Sequence, residues 1–125
     1  MAEMEFKLSQ IGVVMLGVQD LARSVAFYRD KLGLSVTGEV PGAFTFLNAG
    51  SVTLALALPL AKHTGQGPGA TEIVFSVEDL TAAYEALKGR GVSFTQEPRN
   101  VTGPMWAANF NDPDGHRLSI FGPKP

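Results

Sequence analysis

Hydrophobic and polar positions alternate in short runs along this chain, and two longer segments instead carry apolar residues every three or four positions. The alternating runs predict strands, and they lie at about 10–18, 35–40, 43–48, 51–58, 71–77, 92–96, 105–110 and 116–121. The two longer segments predict helices, each preceded by a suitable N-cap, Asp20 or Asp79. Gly33 and Gly91 follow these helices, where a glycine is favoured because the chain turns into the left-handed region.

The second half of the chain repeats the first. The string Val-x-Asp-Leu at 18–21 returns at 77–80, which is 59 residues later, and each half has the order β-α-β-β-β. We therefore predict an α+β fold, in which two βαβββ modules form an open, curved mixed sheet with the helices outside. The whole chain, 1–125, is predicted to be one domain, with modules at about 8–58 and 71–122 and a flexible linker rich in glycine and proline at 59–70.

Strand alternation assigns two faces to the predicted sheet. The residues assigned to the helix side are all apolar, namely Leu16, Val18, Ile73, Phe75, Val77, Leu118 and Ile120. The opposite face is mixed, with Val13, Met15, Leu54, Leu56, Glu72, Val74, Ser76, Arg117, Ser119 and Phe121. A mixed face suits a half-open cup that binds a small molecule better than it suits a dry core.

Composition narrows the classes of function. The chain has 45% hydrophobic residues and a net charge of −2 with no basic block, which argues against binding to nucleic acid or to an anionic membrane. It has no cysteine, so disulfides, thiolate metal sites and cysteine nucleophiles are excluded, and a reducing compartment fits. The first ten residues are too polar for a signal peptide, and the most apolar run is too short to span a bilayer. These features predict a cytoplasmic protein.

Three strings carry a resemblance to a known family: DLARSVAFYRDKLGL after the first strand, EIVFSVEDL opening the second half, and DPDGHRLSI near the end. Together with the βαβββ repeat, they resemble the vicinal oxygen chelate superfamily. That group includes glyoxalase I, extradiol dioxygenases, fosfomycin-resistance enzymes and bleomycin-resistance binding proteins. The resemblance covers about residues 8–122 and implies a twofold homodimer with two cups for small molecules, but it says little about the activity.

Metal-dependent members of this superfamily place His, Glu or Gln at four cup-facing positions. Carried onto this chain, those positions are Val13, about Leu54, Glu72 and Ser119. Only Glu72 is a good ligand for a divalent ion, and a catalytic metal usually needs three protein ligands. We therefore predict no metal and no cofactor. Whether Ser119 replaces a lost ligand or is simply a small residue that fits remains open at this point.

The candidate site residues are polar or aromatic side chains expected near the cup. In a cup lined by apolar side chains a buried Glu72 would have a raised pKa, and it is the candidate catalytic acid or base; the structural reading is a pair with Arg117 on a neighbouring strand. Trp106, Asn109, Arg117 and Ser119 are the candidate ligand-binding residues.

The function predicted first is metal-independent binding of a small molecule, in the manner that the bleomycin-resistance group implies. One alternative is a metal-dependent lyase, isomerase or dioxygenase of the glyoxalase type, in which Glu72 is a ligand and a loop histidine, His63 or His116, is recruited. Another alternative is a metal-free enzyme that uses Glu72 as acid or base. His116 is otherwise expected at the surface.

Overall fold

The computed structural model describes residues 10–64 and 71–124, with side chains for all of these except 62–64. Outside the described residues lie positions 1–9, 65–70 and 125. They include the start of the first predicted module and half of the predicted linker. The strands are β1 (Val13–Gly17), β2 (Ser35–Val40), β3 (Phe44–Ala49), β4 (Val52–Ala57), β5 (Glu72–Ser76), β6 (Phe94–Thr102), β7 (Met105–Asn111) and β8 (Arg117–Pro123). The helices are α1 (Leu21–Val25), continued by a π-helical segment (Ala26–Lys31), α2 (Leu58–Thr64) and α3 (Leu80–Gly89).

The described strands form two open, four-stranded sheets, one from each module. Their strand orders are β1-β4-β3-β2 and β5-β8-β7-β6. In each sheet the first strand runs parallel to the last strand of its module, and the other pairs are antiparallel. The predicted α+β fold with two βαβββ modules is confirmed. None of the described helices has the length and hydrophobicity needed to cross a membrane.

The two predicted N-caps are present with matching geometry. The Asp20 side chain accepts a hydrogen bond from the Arg23 N–H at 3.0 Å, and Asp79 accepts one from the Ala82 N–H at the same distance. Each cap satisfies one of the backbone donors that the first turn of a helix leaves unpaired. The two helices differ afterwards, because the first widens into the π-helical segment and α3 remains α-helical to its end.

The first part of the predicted flexible linker is helical. Pro59 lies in the first turn of α2, where the missing N–H of proline costs no hydrogen bond. The helix approaches β1 closely, since a Cβ built on Gly17 would lie 3.0 Å from the backbone nitrogen of Ala61. The structure therefore corrects the linker prediction at 59–64, where chain contact with β1 orders the backbone.

The prediction that Leu54 and Leu56 face the cup is wrong. Both are buried, with exposed fractions of 2% and 0%, and they pair with Val14 and Leu16 on the helix side of the first sheet. Paired residues on neighbouring strands share a face, so the cup side of β4 carries Ala55 instead. The error has a physical cause: almost every residue of β4 is apolar, so the hydrophobic pattern gives the strand no phase.

The turn that begins at Asp112 joins the second module to the first helix. Tyr28 is fully buried, and its hydroxyl donates a hydrogen bond of 2.7 Å to Asp112 Oδ2. The other carboxylate oxygen, Oδ1, accepts from the backbone N–H groups of Asp114 and His116 at 2.9 and 2.8 Å. Burial and the neighbouring Asp112 carboxylate both raise the pKa of Tyr28, so its hydroxyl remains a donor.

Two further residues of the same turn extend this connection. Asp114 accepts hydrogen bonds from the Gln19 N–H and the Ser24 hydroxyl, both at 3.1 Å. The Nε2 of His116 lies 2.8 Å from the Gly17 carbonyl oxygen, so the half-buried ring is held between the modules, whereas a surface position was expected. We call Tyr28, Asp112, Asp114 and His116 the inter-module clamp.

Candidate functional site

Four of the predicted site residues converge on the cup side of the second sheet. Glu72 is paired with Arg117 across β5 and β8, and Asn109 is paired with Ser119 across β7 and β8. Arg117 and Ser119 are two residues apart on β8, so alternation places all four side chains on one face. We call Glu72, Asn109, Arg117 and Ser119 the polar cluster.

The Glu72 carboxylate is the centre of the polar cluster. Arg117 Nε donates a hydrogen bond of 2.7 Å to Oε1, and Asn109 Nδ2 donates one of 3.2 Å to Oε2. The charged pair forms an accessible rim, because the side chains of Glu72 and Arg117 are 33% and 49% exposed. Asn109 and Ser119 form a buried floor, with exposed fractions of 1% and 2%.

These contacts lower the pKa of Glu72. The largest cause is a hydrogen bond from the Ser119 hydroxyl, followed by the hydrogen bond from Arg117, and together they outweigh the opposite effect of partial burial. The raised pKa expected for a buried carboxyl therefore does not occur. Glu72 is an anion at neutral pH, which suits electrostatic binding better than proton donation.

Asn109 carries an unsatisfied acceptor. Its side-chain nitrogen is used by Glu72, and its buried Oδ1 has no hydrogen-bond partner among the described residues. Leaving a buried acceptor unpaired costs about 1–3 kcal/mol, so such an atom in a folded protein calls for an explanation. A bound molecule with an N–H or O–H group would supply the missing donor.

Trp106 lies apart from the polar cluster. On β7 it alternates with Asn109 and shares the helix-side face with Ala108 and Phe110, both fully buried. Its ring packs against the core and under the ammonium of Lys124, which is 4.2 Å from the ring centroid. The expected position of Trp106 at the cup rim is therefore corrected.

The repeat identifies the four positions at which the superfamily's metal ligands are expected. Val13 pairs with Thr53 as Glu72 pairs with Arg117, so the counterpart of Ser119 in the first module is Ala55, not Leu54. Val13 and Ala55 have no lone pair to offer, and the Glu72 carboxylate is already bound by Arg117 and Asn109. Among the described residues no three His, Cys, Asp or Glu side chains gather. These donors do not fit a catalytic metal.

The two histidines add no described ligand to this set. The His116 ring is turned toward Gly17, away from the face that carries Arg117. The backbone of His63 lies in α2, but its side chain is outside the described residues, so its recruitment remains a prediction.

Exposed apolar side chains accompany the polar cluster on the cup sides of both modules. Val13 and Met15 on β1 are 50% and 43% exposed, and Val74 on β5, between Glu72 and Ser76, is 51% exposed. Three large apolar residues on strands at the inner edges of two sheets are a typical lining for a ligand cup or a subunit contact. The alternation pattern had predicted these three positions.

Comparison with known proteins agrees with this architecture. A lactoylglutathione lyase from Haemophilus influenzae is 32% identical over 123 residues, which cover 90% of this chain and 91% of that protein. The crystal structure of a glyoxalase/bleomycin resistance protein/dioxygenase from Nocardioides superposes with a TM-score of 0.78 at 26% identity, covering 96% of this chain and 87% of that one. TnmS3, an antibiotic-binding protein from Streptomyces sp. CB03234, has the same fold, with a TM-score of 0.77 at 23% identity over 96% of this chain and all of that one.

The family description itself matches residues 10–120, which is nearly the whole chain. The match includes both βαβββ modules, the inter-module clamp and every member of the polar cluster. The chain belongs to the Glyoxalase/Bleomycin resistance protein/Dioxygenase superfamily.

Proposed function

We propose that this protein binds a small molecule without a metal and holds it against the polar cluster. The observation that carries the proposal is the unpaired Oδ1 of Asn109, a buried acceptor beside an ionised carboxylate. The four metal-ligand positions offer a single carboxylate, which Arg117 already engages. What remains is a polar floor within an apolar face, which is the usual composition of a ligand pocket.

The cluster also indicates the chemistry of the ligand. The Asn109 acceptor and the Glu72 carboxylate favour a group that carries N–H or O–H donors, and a cationic group most of all. Arg117 can accommodate a neighbouring anionic or carbonyl oxygen at the rim. Val74 and Phe121, on the same face, would contact an apolar body. A flat or compact organic molecule with one donor-rich end meets these requirements.

Similar proteins support both a binding function and a catalytic function. A structural neighbour is described as an antibiotic-binding protein, and its fold is the fold of this chain. Several relatives are lactoylglutathione lyases, which keeps an enzymatic function as the second candidate. In a metal-free enzyme Glu72 would be the proton acceptor, and its lowered pKa makes it a weak one.

A thermal-shift screen tests the binding proposal. Antibiotic glycopeptides, quinones, aromatic compounds and thioesters are suitable probes, because a ligand at about 100 times its Kd stabilises the folded state by about 2.7 kcal/mol. For a hit, Glu72→Gln is expected to weaken binding about tenfold, since the solvent-screened carboxylate loses its charge. Glu97→Gln makes the same change on the exposed edge strand β6 and should leave binding unchanged.

The pH dependence of binding follows from the sign of the Glu72 pKa shift. A lowered pKa means that the folded state stabilises the carboxylate. Its contribution to stability is complete above the pKa of the unfolded chain and is lost as the pH falls through the folded value, and the charge that a cationic ligand would contact is lost over the same range. Affinity for a cationic hit should therefore be flat from neutral pH to about pH 5 and decrease below. An affinity that rises on acidification, or equal losses in the Glu72 and Glu97 variants, would contradict the proposal.

The enzymatic candidate has a direct assay. Formation of lactoylglutathione from methylglyoxal and glutathione, together with elemental analysis of protein purified without chelators, separates the two readings. Stoichiometric zinc, nickel, manganese or iron with turnover would favour the lyase. Turnover without metal that is lost in Glu72→Gln would favour Glu72 as the acid or base.

We further propose that two copies form a twofold homodimer, in the cytoplasm. The support is the exposed apolar side chains of Val13, Met15 and Val74, which a second copy would cover, and the two open sheets with unpaired edges. Light scattering should give twice the chain mass of 13.3 kDa at micromolar concentration. Met15→Glu places a charge in the contact and should shift the species toward monomer, whereas Val101→Glu, on another exposed valine, should not. A monomeric wild-type protein would overturn the assembly.

A further inference from the structure

A cavity lies on the opposite side of the second sheet from the polar cluster. It has a volume of about 230 Å³ and lies between the two modules. Its walls are almost entirely apolar and include Leu32, Leu34, Phe75, Leu87, Phe110 and Ile120. Phe110 and Ile120 are in the helix-side register, so the sheet itself separates this cavity from Asn109 and Ser119.

Two alanines keep the cavity open along α3. Ala83, which is half-buried, and Ala86, which is exposed, both line it. A leucine at either position would extend into the space that the alanine methyl group leaves. Cavities of this size are smaller than those that hold drug-sized ligands, which limits an occupant to a short chain or a single ring.

One cation, Arg90, lies at the edge of the cavity, and a second, Lys31, belongs to the segment that Arg90 contacts. Arg90 lines the cavity, and its Nη1 donates a hydrogen bond of 3.1 Å to the Lys31 carbonyl oxygen, crossing from the end of α3 to the first module. The Lys31 ammonium lies near Gly91, where a Cβ built on the glycine would be 3.7 Å from Nζ, and it is 5.9 Å from the centroid of the Phe27 ring. In the part of the chain that the structure describes, the ion pairs involve Arg23, Arg29 and Arg117, so neither Arg90 nor Lys31 has a carboxylate partner.

The carbonyl oxygens at the end of α3 do not account for these cations. Backbone N–H groups already bind those oxygens: Arg90 donates to the Ala86 and Leu87 carbonyls, Gly91 to Lys88, and Val92 to Leu87. A bound anion would supply the negative charge that Arg90 lacks as a partner. An apolar cavity with an unpaired cationic edge is therefore complementary to an anion that carries an apolar tail.

We propose that this cavity binds a small monocarboxylate, with the carboxylate at Arg90 and the aliphatic or aromatic tail between Phe110 and Leu87. The site is independent of the polar cluster, because it opens on the other face of the sheet and shares none of its residues. Arg90 supplies the planar donors that match a carboxylate. The apolar walls supply most of the affinity, at about fourfold per buried methylene.

An NMR titration of isotope-labelled protein with sodium octanoate tests the proposal. Saturable shifts are expected at residues 32–34, 83–90, 110 and 120, and butanoate should bind at least tenfold more weakly because fewer methylenes are buried. Ala83→Leu fills the cavity and should abolish the shifts. Ala82→Leu adds the same volume on an exposed position of the same helix and should leave the affinity unchanged.

The charge requirement is tested separately from the cavity. Arg90→Gln keeps a side-chain donor for the Lys31 carbonyl but removes the charge, and it should weaken octanoate binding about fivefold without changing the melting temperature by more than a degree or two. Octanol and octylamine should bind far more weakly than octanoate. Absent shifts at millimolar octanoate, unchanged binding in Ala83→Leu, or equal binding of octylamine would each overturn the proposal, while Glu72→Gln should have no effect on any of these titrations.

Discussion

Replacing Asp112 with alanine is expected to lower the free energy of unfolding by about 3–5 kcal/mol. Asp112 is only 5% exposed, and its side chain accepts three hydrogen bonds, from the Tyr28 hydroxyl and from the backbone N–H groups of Asp114 and His116. Its removal leaves the fully buried Tyr28 hydroxyl without its hydrogen-bond acceptor, and it releases the turn that holds the second module against the first helix. Urea denaturation followed by circular dichroism measures the change.

Two companion variants give this prediction its controls. Tyr28→Phe removes one of the three hydrogen bonds and should cost about 2 kcal/mol, and the double variant should cost less than the sum because both members act on one contact. Asp30→Ala removes an exposed carboxylate that is paired with Arg29 and should leave the stability essentially unchanged. If Asp112→Ala is no more harmful than Asp30→Ala, the inter-module clamp does not stabilise the fold.

The sequence predicted the architecture because several independent signals agreed. Both N-caps, both helix-ending glycines and the eight strands fall in the same order in the two halves. Where one signal was missing, the prediction failed. β4 is apolar at nearly every position, so the phase of Leu54 and Leu56 was undetermined, and only the hydrogen-bond register with β1 fixes it.

The polar cluster was predicted for the opposite reason. On β8, Arg117 and Ser119 alternate with apolar Leu118 and Ile120, so the phase of the strand is unambiguous. Trp106 was misplaced because it lies near the start of β7, next to a turn, where the alternation has too few residues to fix a face. Contacts between the modules could not be predicted for a different reason. No local sequence pattern indicates that Asp112 contacts Tyr28, which is 84 residues away.

The pKa of Glu72 differs from its sequence-based interpretation. A carboxyl in an apolar cup was expected to hold its proton more tightly. Instead, the Ser119 hydroxyl and Arg117 stabilise the anion, and the charged rim remains in contact with solvent. The cluster therefore presents a negative charge above a buried acceptor, which would suit the proposed recognition of donors.

Replacing Asn109 with leucine is expected to weaken binding of a cluster ligand by about 30-fold to 100-fold while leaving stability unchanged or slightly higher. The loss of affinity exceeds that of Glu72→Gln because Asn109 is only 1% exposed, so a ligand donor placed against leucine stays unpaired and pays its full desolvation cost of about 1–3 kcal/mol. The stability of the fold is not expected to fall with the affinity, because the substitution also removes an unpaired buried oxygen and keeps a similar volume. Isothermal titration with a hit from the screen, beside thermal melting without ligand, measures both quantities.

The two readouts of Asn109→Leu separate a binding role from a structural one. A residue kept for binding should show a loss of affinity with no loss of stability, whereas a residue kept for folding should show the reverse. Thr45→Val is a matched control, because it removes a buried polar group from the first sheet, away from the cluster, and should leave ligand affinity unchanged. A fall in the melting temperature of several degrees with intact affinity would mean that Asn109 serves the fold, through its hydrogen bond to Glu72, and that the ligand binds elsewhere.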